Sequence, residues 1–353
     1  MKKYINYLGL CLLLCASCIT EVDFASEESQ FVAINGVISN SPTERVLTFF
    51  QNVNTSAGID ANLYKNDVLE TQLQVGRKGE LLTMTIPDGV QIEEGASYHI
   101  EVITESGDVY MSEPQLVVKG KKPQALSTIM DQQLFQELGG DYTEKNFINV
   151  EVDYPVSDQD DPLFMRFQID ESWAYQEVDD PRKSGDPMFL CYIERGVSTF
   201  PTKVWSTGGL SPGVQTFRVA SRVVDESFLL KHYLNVYTYQ INEKAYNYYR
   251  NAQKIVENTG TLVDEIPAAL EGNIYNANDE KELVFGFVEF GIPDTSRIFV
   301  NGINTRLENP CDIPEPCLPP VAAPGGLPPF FPFCPCADCL LISGATLEKP
   351  PYF

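Results

Sequence analysis

The sequence predicts a mainly β protein. An N-terminal Ig-like or prealbumin-like β-sandwich is followed by a second β-rich domain with one helix and a Cys/Pro-rich C-terminal tail. Three observations predict this. Short runs rich in Val, Ile, Thr, Tyr and Phe recur between Gly, Pro, Asn and Asp turn signals. A single segment carries its apolar residues at three- and four-residue spacing over several turns. Residues 310–335 hold ten prolines, which exclude both a helix and a central strand. At 353 residues, 43% hydrophobic and 11% aromatic, the chain has material for two cores and is not wholly disordered.

The first elements concern address. Lys2 and Lys3 precede a mostly apolar run from Tyr4 to Ala16 that is short for a bilayer span but fits a signal peptide. It ends in Cys15-Ala16-Ser17-Cys18, which resembles the lipobox of bacterial lipoproteins, with Cys15 where leucine is usual. Residues 1–17 are therefore read as a signal peptide, and Cys18 as the lipidation site that carries the protein on palmitate-type acyl chains in the bilayer. Residues 18–29, with Glu21, Asp23, Glu27 and Glu28, form an acidic tether that resembles a surface-export signal. No other window of eighteen residues is apolar enough to span a membrane.

The N-terminal sandwich is expected over residues 30–118. Val32 and Ile34, Val46-Leu47-Thr48-Phe49-Phe50, and Leu81-Leu82-Thr83-Met84-Thr85-Ile86 read as strands. Asn66-Asp67 is a turn pair, and Tyr98, Ile100 and Val102 alternate with His99 and Glu101. Residues 119–123 are expected to be a hinge. The second domain is expected over residues 124–353, with strands resuming at Phe147 and continuing through residues 164–169, 188–194, 215–219, 233–239 and 283–288. Its helix is placed at residues 242–258: Asn242 supplies the cap, and Ala245, Tyr246, Tyr249, Ala252, Gln253 and Val256 keep the helical period. A tyrosine stripe on such a helix is expected to pack rather than to bind.

Nine cysteines and two histidines bound the chemistry. Without the leader and Cys18, six cysteines remain as disulfide candidates: Cys191, Cys311, Cys317, Cys334, Cys336 and Cys339. They allow fifteen pairings, and Cys191, alone in the body of the domain, is expected to tether a cysteine of the tail at 310–353. Zinc held by Cys334, Cys336 and Cys339 with Cys311 or Cys317 is the competing reading, though the paired knuckle spacing is absent. Asp158, Asp160 and Asp161 lack the glycine and distal glutamate of a calcium loop. No metal and no cofactor are expected.

With 25 Lys and Arg against 49 Asp and Glu, the net charge is −24, and −26 once Lys2 and Lys3 leave with the leader. Such a surface repels phosphate, so no nucleic-acid partner is expected. The sequence holds no nucleophile elbow, phosphate loop, zinc-protease motif or dinucleotide fingerprint, and no catalytic residue is expected. His99 and His232 are read as structural or surface residues. Trp173, Tyr175 and Trp205 are the binding candidates, because indole and phenol faces suit sugars and protein hot spots. Packing within the second domain is the alternative for them.

Four stretches together resemble the domain-of-unknown-function 4249 family (DUF4249) of Bacteroidota lipoproteins. They are residues 98–112; Asp170-Glu171-Ser172-Trp173 with Cys191-Tyr192; Glu257-Asn258-Thr259-Gly260 with Ile266-Pro267 and Glu271-Gly272-Asn273-Ile274; and Cys336-Ala337-Asp338-Cys339 with Lys349-Pro350-Pro351-Tyr352-Phe353. The chain departs from the family's usual Phe-Trp ending, since it closes in Tyr352-Phe353. The resemblance implies a lipid-anchored protein of the outer membrane, displayed at the cell surface. With the lipobox, the acidic leader, the two β domains and the lack of a catalytic constellation, the expected role is a non-enzymatic accessory or binding partner of a TonB-dependent β-barrel transporter in nutrient uptake, since members of the family are often encoded beside such transporters. A surface adhesin or glycan-binding module is the alternative, and an extracellular hydrolase a remote one.

Overall fold

A computed structural model describes residues 31–41, 43–52, 58–79, 81–136, 140–157, 161–177, 188–196, 202–258, 270, 272–300 and 338–353. The first half supplies β1 (Val32–Ser39), β2 (Arg45–Gln51), β3 (Ile59–Lys65), β4 (Val68–Gln72), β5 (Gln74–Lys78), β6 (Leu81–Thr85), β7 (Ser97–Thr104), β8 (Val109–Ser112) and β9 (Gln115–Leu116). β3 and β4 form a hairpin across Asn66-Asp67, both at positive φ (50° and 63°), the left-handed pair that a two-residue turn requires. Alternation places Tyr98, Ile100 and Val102 of β7 in a core with Leu47, Leu63 and Met84.

The second half supplies β10 (Ala125–Gln136), β11 (Tyr142–Val156), β12 (Phe164–Gln176), β13 (Leu190–Gly196), β14 (Lys203–Ser206), β15 (Gly213–Val223), β16 (His232–Ile241) and α1 (Glu243–Asn258). β17 (Ile274–Asn276), β18 (Val284–Phe285), β19 (Val288–Gly291), β20 (Asp294–Val300) and β21 (Ala345–Thr346) follow. Four sheets result. In the first sandwich, the sheet β18-β1-β2-β6-β5, with β19 also on β1, faces the sheet β17-β8-β7-β3-β4, with β9 on β7. In the second, β10-β11-β15 faces β20-β16-β12-β13-β21, with β14 on β12.

The domain partition expected from sequence needs correction. β17, β18 and β19 belong to the first sandwich, not to a second domain spanning residues 124–353. β17 extends β8, and β18 and β19 run parallel to β1, burying Ile274, Val288 and Phe290 in the first core. The single run expected at residues 283–288 is broken by Gly286, whose φ is +104°. A Cβ there would lie 2.1 Å from the Ile34 carbonyl oxygen, so only glycine lets the chain pass so close to β1.

The expected hinge at residues 119–123 is also corrected. Lys119 bridges Ile292, Gly120 N–H donates to the Ile292 carbonyl (2.7 Å), and Tyr154 Oη donates to the Lys121 carbonyl (2.8 Å). The outgoing and returning crossings between the sandwiches thus run side by side. A Cβ on Gly120 would sit 1.8 Å from the Thr238 carbonyl oxygen and 2.7 Å from Asp294 N. Because both obstacles are backbone, Gly120→Ala is expected to lower stability by about 3 kcal/mol, read from urea unfolding midpoints.

The helix forms where the pattern places it. Asn242 caps α1, its Oδ1 accepting from Ala245 N–H (2.8 Å). Tyr246 packs on Phe164, and Tyr248 and Tyr249 pack on Phe287. Tyr248 Oη donates to Asn35 Oδ1 (3.1 Å) in the first sandwich. The stripe is therefore packing material that ties α1 to both halves.

Candidate functional site

β12 organises the charged chemistry of the molecule, because its two faces have different neighbours. Met165, Phe167 and Ile169 point into the second core. The period of two sends Arg166, Gln168, Asp170, Ser172 and Ala174 to the opposite face. That face meets the first sandwich at one end and the C-terminal segment at the other.

At the sandwich junction Arg166 is buried between two carboxylates. Its Nη1 and Nη2 donate to Glu44 (2.8 and 3.0 Å), and its Nε donates to both oxygens of Glu289 (2.9 and 3.0 Å). The guanidinium lies 4.1 Å from the Tyr239 ring centroid. Tyr239 Oη shares a hydrogen bond with Ser39 Oγ (3.2 Å). Glu44 follows β1, Glu289 lies on β19, and Arg166 and Tyr239 lie on β12 and β16, so the cluster joins the sandwiches by charge. Burial pushes the Glu289 carboxyl above its ordinary range, with Glu44 adding to the push and Arg166 opposing it.

Further along the same face lies a polar row. Asp170 is mostly buried, and desolvation raises its pKa to about 6 against hydrogen bonds from Gln168 and Tyr237. Glu194, Ser172 and Tyr352 follow: Tyr352 Oη bonds both Ser172 Oγ (3.2 Å) and Glu194. Arg297 lies 3.4 Å from the Tyr352 ring centroid and also bonds Asn235.

On the inner face Glu171 ties the two sheets of the second sandwich together. It accepts from Arg195 Nε (2.5 Å) and Arg222 Nε (2.8 Å), and His232 Nε2 lies 3.4 Å away. Burial alone would raise its pKa, but hydrogen bonds from His232 and Arg222 and the arginine charges bring it down to about 2. That is below the 4.5 of a free glutamate, so the stabilisation is complete above about pH 5 and is lost as pH falls toward 2. Glu171→Gln is expected to cost about 3 kcal/mol at pH 7, at roughly 1.4 kcal/mol per pH unit of displacement. Unfolding midpoints between pH 2.5 and 7 should show a shallower acid limb in the variant than in the parent.

Of the binding candidates read from sequence, Trp173 is buried in packing, and Tyr175 and Trp205 are half-buried. Trp173 is 6% exposed and lies in a stack of Arg195, Trp173, His232 and Phe228. Trp205 is half-buried, stacked on Phe217 at 3.8 Å and packed near Tyr154. Tyr175 is half-buried on β12, and burial raises its hydroxyl pKa. The Trp173 face is used inside the sandwich, and the Trp205 face is covered in part by Phe217. His99 stacks on Tyr64 at 4.9 Å, and His232 is fully buried.

Cys191 pairs with Cys339, 148 residues later. This is the tether to the tail expected from sequence, and it removes Cys339 from any zinc-thiolate set. Cys18, Cys311, Cys317, Cys334 and Cys336 lie outside the described residues, as do the leader, most of the tail at 310–353, and Asp158 and Asp160. Among the described residues no helix is long and apolar enough to cross a membrane, which leaves β-barrel spans unaddressed.

Sequence reasoning missed Arg166, Glu44 and Glu289 as a unit. The signal was present: Arg166 stands in Phe164-Met165-Arg166-Phe167 and Glu289 in Val288-Glu289-Phe290. A charge inside an apolar strand needs a buried partner.

The class defined by fold and site is a mainly β protein of two sandwiches and one helix, in which the chain crosses back to complete the first and buried charges fasten the halves. The chain belongs to the family described as Domain of unknown function (DUF4249), whose model matches residues 19–297. A comparison with curated proteins gives no match.

Proposed function

We propose that the protein is a surface-exposed lipoprotein of the outer membrane, acylated at Cys18 and acting without catalysis. In this reading it is an accessory or binding partner of a TonB-dependent β-barrel transporter in nutrient uptake. The observation that carries the reading is the Leu-rich leader ending in Ala16-Ser17-Cys18, followed by an acidic tether. The geometry is compatible with it. A body whose buried charges are committed to fixing its two halves suits a rigid partner surface better than a moving catalytic cleft.

The test is native purification from membranes in mild detergent, with mass spectrometry of the complex and labelling by a palmitate analogue. A co-purifying β-barrel in near-stoichiometric amount and a label abolished by Cys18→Ala are expected. An acyl-free protein recovered alone overturns the proposal. Hydrolytic activity on extracellular polymers would do the same for its non-enzymatic part.

A further inference from the structure

The outer face of β12 ends in a groove of about 360 Å³. Ala174 and Tyr192 form its floor, and Leu190, Leu230 and Phe353 line its sides. Ligand pockets commonly begin near 300 Å³. At about 30 Å³ for each water-sized atom, the space takes roughly a dozen heavy atoms. From Arg166 at the junction to Gln176 at the groove is ten strand residues, about 33 Å. The groove is therefore separate from the charge cluster that fastens the sandwiches.

Its walls are held in place by the fold. The Phe353 ring lies 5.0 Å from Tyr192 and 4.9 Å from Tyr233. β21 pairs with β13 through Tyr192 and Ile193, and the Cys191–Cys339 disulfide anchors the same segment. The apolar sides remain open to solvent: Leu190 is 38% and Leu230 is 48% exposed.

The charge at the rim runs against the rest of the molecule. In a chain of net charge −24, the groove is lined by Lys231 and Lys349, with no Asp or Glu side chain among its lining residues. Lys65 and Lys244 are engaged by Glu93 and Glu113. Lys231 and Lys349 are exposed and have no ion pair among the described residues. Two unpaired ammonium groups beside a preformed apolar slot are complementary to one chemistry, an anion attached to a hydrocarbon body.

We propose that this groove binds a small anionic amphiphile. Its carboxylate or phosphate monoester head sits at Lys231 and Lys349. Its alkyl or aryl body, of about ten carbons, lies against Leu190, Leu230 and Phe353. The site requires neither the acyl anchor nor a transporter, so it stands apart from the proposed cellular role. The head-group chemistry is shared by soluble amphiphiles and by anionic lipid surfaces, and the site is assigned to the soluble molecule because the groove is too small for two acyl chains.

The test uses the full mature chain with Cys18→Ser replacing the anchor, in calorimetric titrations with decanoate, decyl phosphate and decyltrimethylammonium below their micellar concentrations. Vesicle pelleting with and without phosphatidylglycerol runs in parallel. One saturable site for both anions, at least tenfold weaker binding of the cation, and at least a tenfold loss in Lys231→Glu/Lys349→Glu are expected. Both lysines are exposed, so the unfolding midpoint of that variant should match the parent. Absence of saturable anion binding, equal affinity for the cation, unchanged affinity in the double variant, or binding to anionic vesicles alone overturns the proposal.

Discussion

Arg166→Met should lower the unfolding free energy by about 3–5 kcal/mol at neutral pH, the cost of leaving buried carboxylates without their counter-ion. The magnitude follows from burial on both sides of the pair: side-chain exposure is 4% for Arg166, 13% for Glu44 and 2% for Glu289. Methionine keeps much of the volume against Tyr239 but supplies no charge and no donor. The sign with pH is diagnostic. Glu289 already has a raised pKa with the arginine present, and without it the pKa rises further. A carboxyl whose folded pKa exceeds its unfolded value destabilises above that pKa, and the penalty disappears as acid protonates it. The deficit of the variant should therefore be largest near pH 8 and shrink toward pH 4.5, measured by urea unfolding at each pH. The triple variant Arg166→Met/Glu44→Gln/Glu289→Met should recover most of the loss, because replacing a whole buried ion cluster is far less harmful than orphaning part of it. A pH-independent deficit, or no recovery in the triple variant, would mean that packing rather than charge fastens the sandwiches.

What the sequence discloses here depends on whether the information is local. β7 was legible because Tyr98, Ile100 and Val102 alternate with polar neighbours beside a buried face. The turn at Asn66-Asp67 was legible because few residues tolerate positive φ there. The helix was legible because its cap and its period agree. β10 was missed altogether. Its residues Ala125–Gln136 include Ala, Leu, Met and Gln, which favour helix, and its exposure pattern never settles into one buried face. The partners of β17, β18 and β19 were not legible for a different reason. Each looks like a strand on its own, but pairing with β1 and β8 is a contact across well over a hundred residues. The same limit applies to the chemistry. The charges of Arg166, Glu171 and Glu289 could be recognised as misplaced in apolar strands, but which partner each meets is decided by how the sheets stack. Aromatic residues are ambiguous for the opposite reason, because the type of Trp173 and Trp205 is informative only once burial is known.

Cys191→Ser/Cys339→Ser should cost up to about 5 kcal/mol and release the C-terminal segment from the second sandwich. The disulfide closes a separation of 148 residues, for which the chain-entropy model gives about 5 kcal/mol, against the 2–5 kcal/mol typical when a native bridge is removed. The competing forces can be weighed. β21 pairs only two residues with β13, Arg297 lies over Tyr352, and Phe353 meets Tyr192 and Tyr233. Each ring contact contributes about 0.5–1.5 kcal/mol, so the noncovalent contacts together roughly equal the entropy of closing so long a loop. Without the bridge the segment should therefore be docked only part of the time. Hydrogen exchange should show this as lost protection at the β21–β13 ladder, while the β12–β16 ladder stays protected near the global limit. Glu177, which accepts from Cys339 N–H (2.9 Å) and Phe189 N–H (2.9 Å), would be left half-used in its buried site, adding to the loss. Full protection of the β21–β13 ladder in the serine variant would show that strand pairing and the ring contacts hold the segment by themselves, and that the covalent link acts only on the unfolded chain.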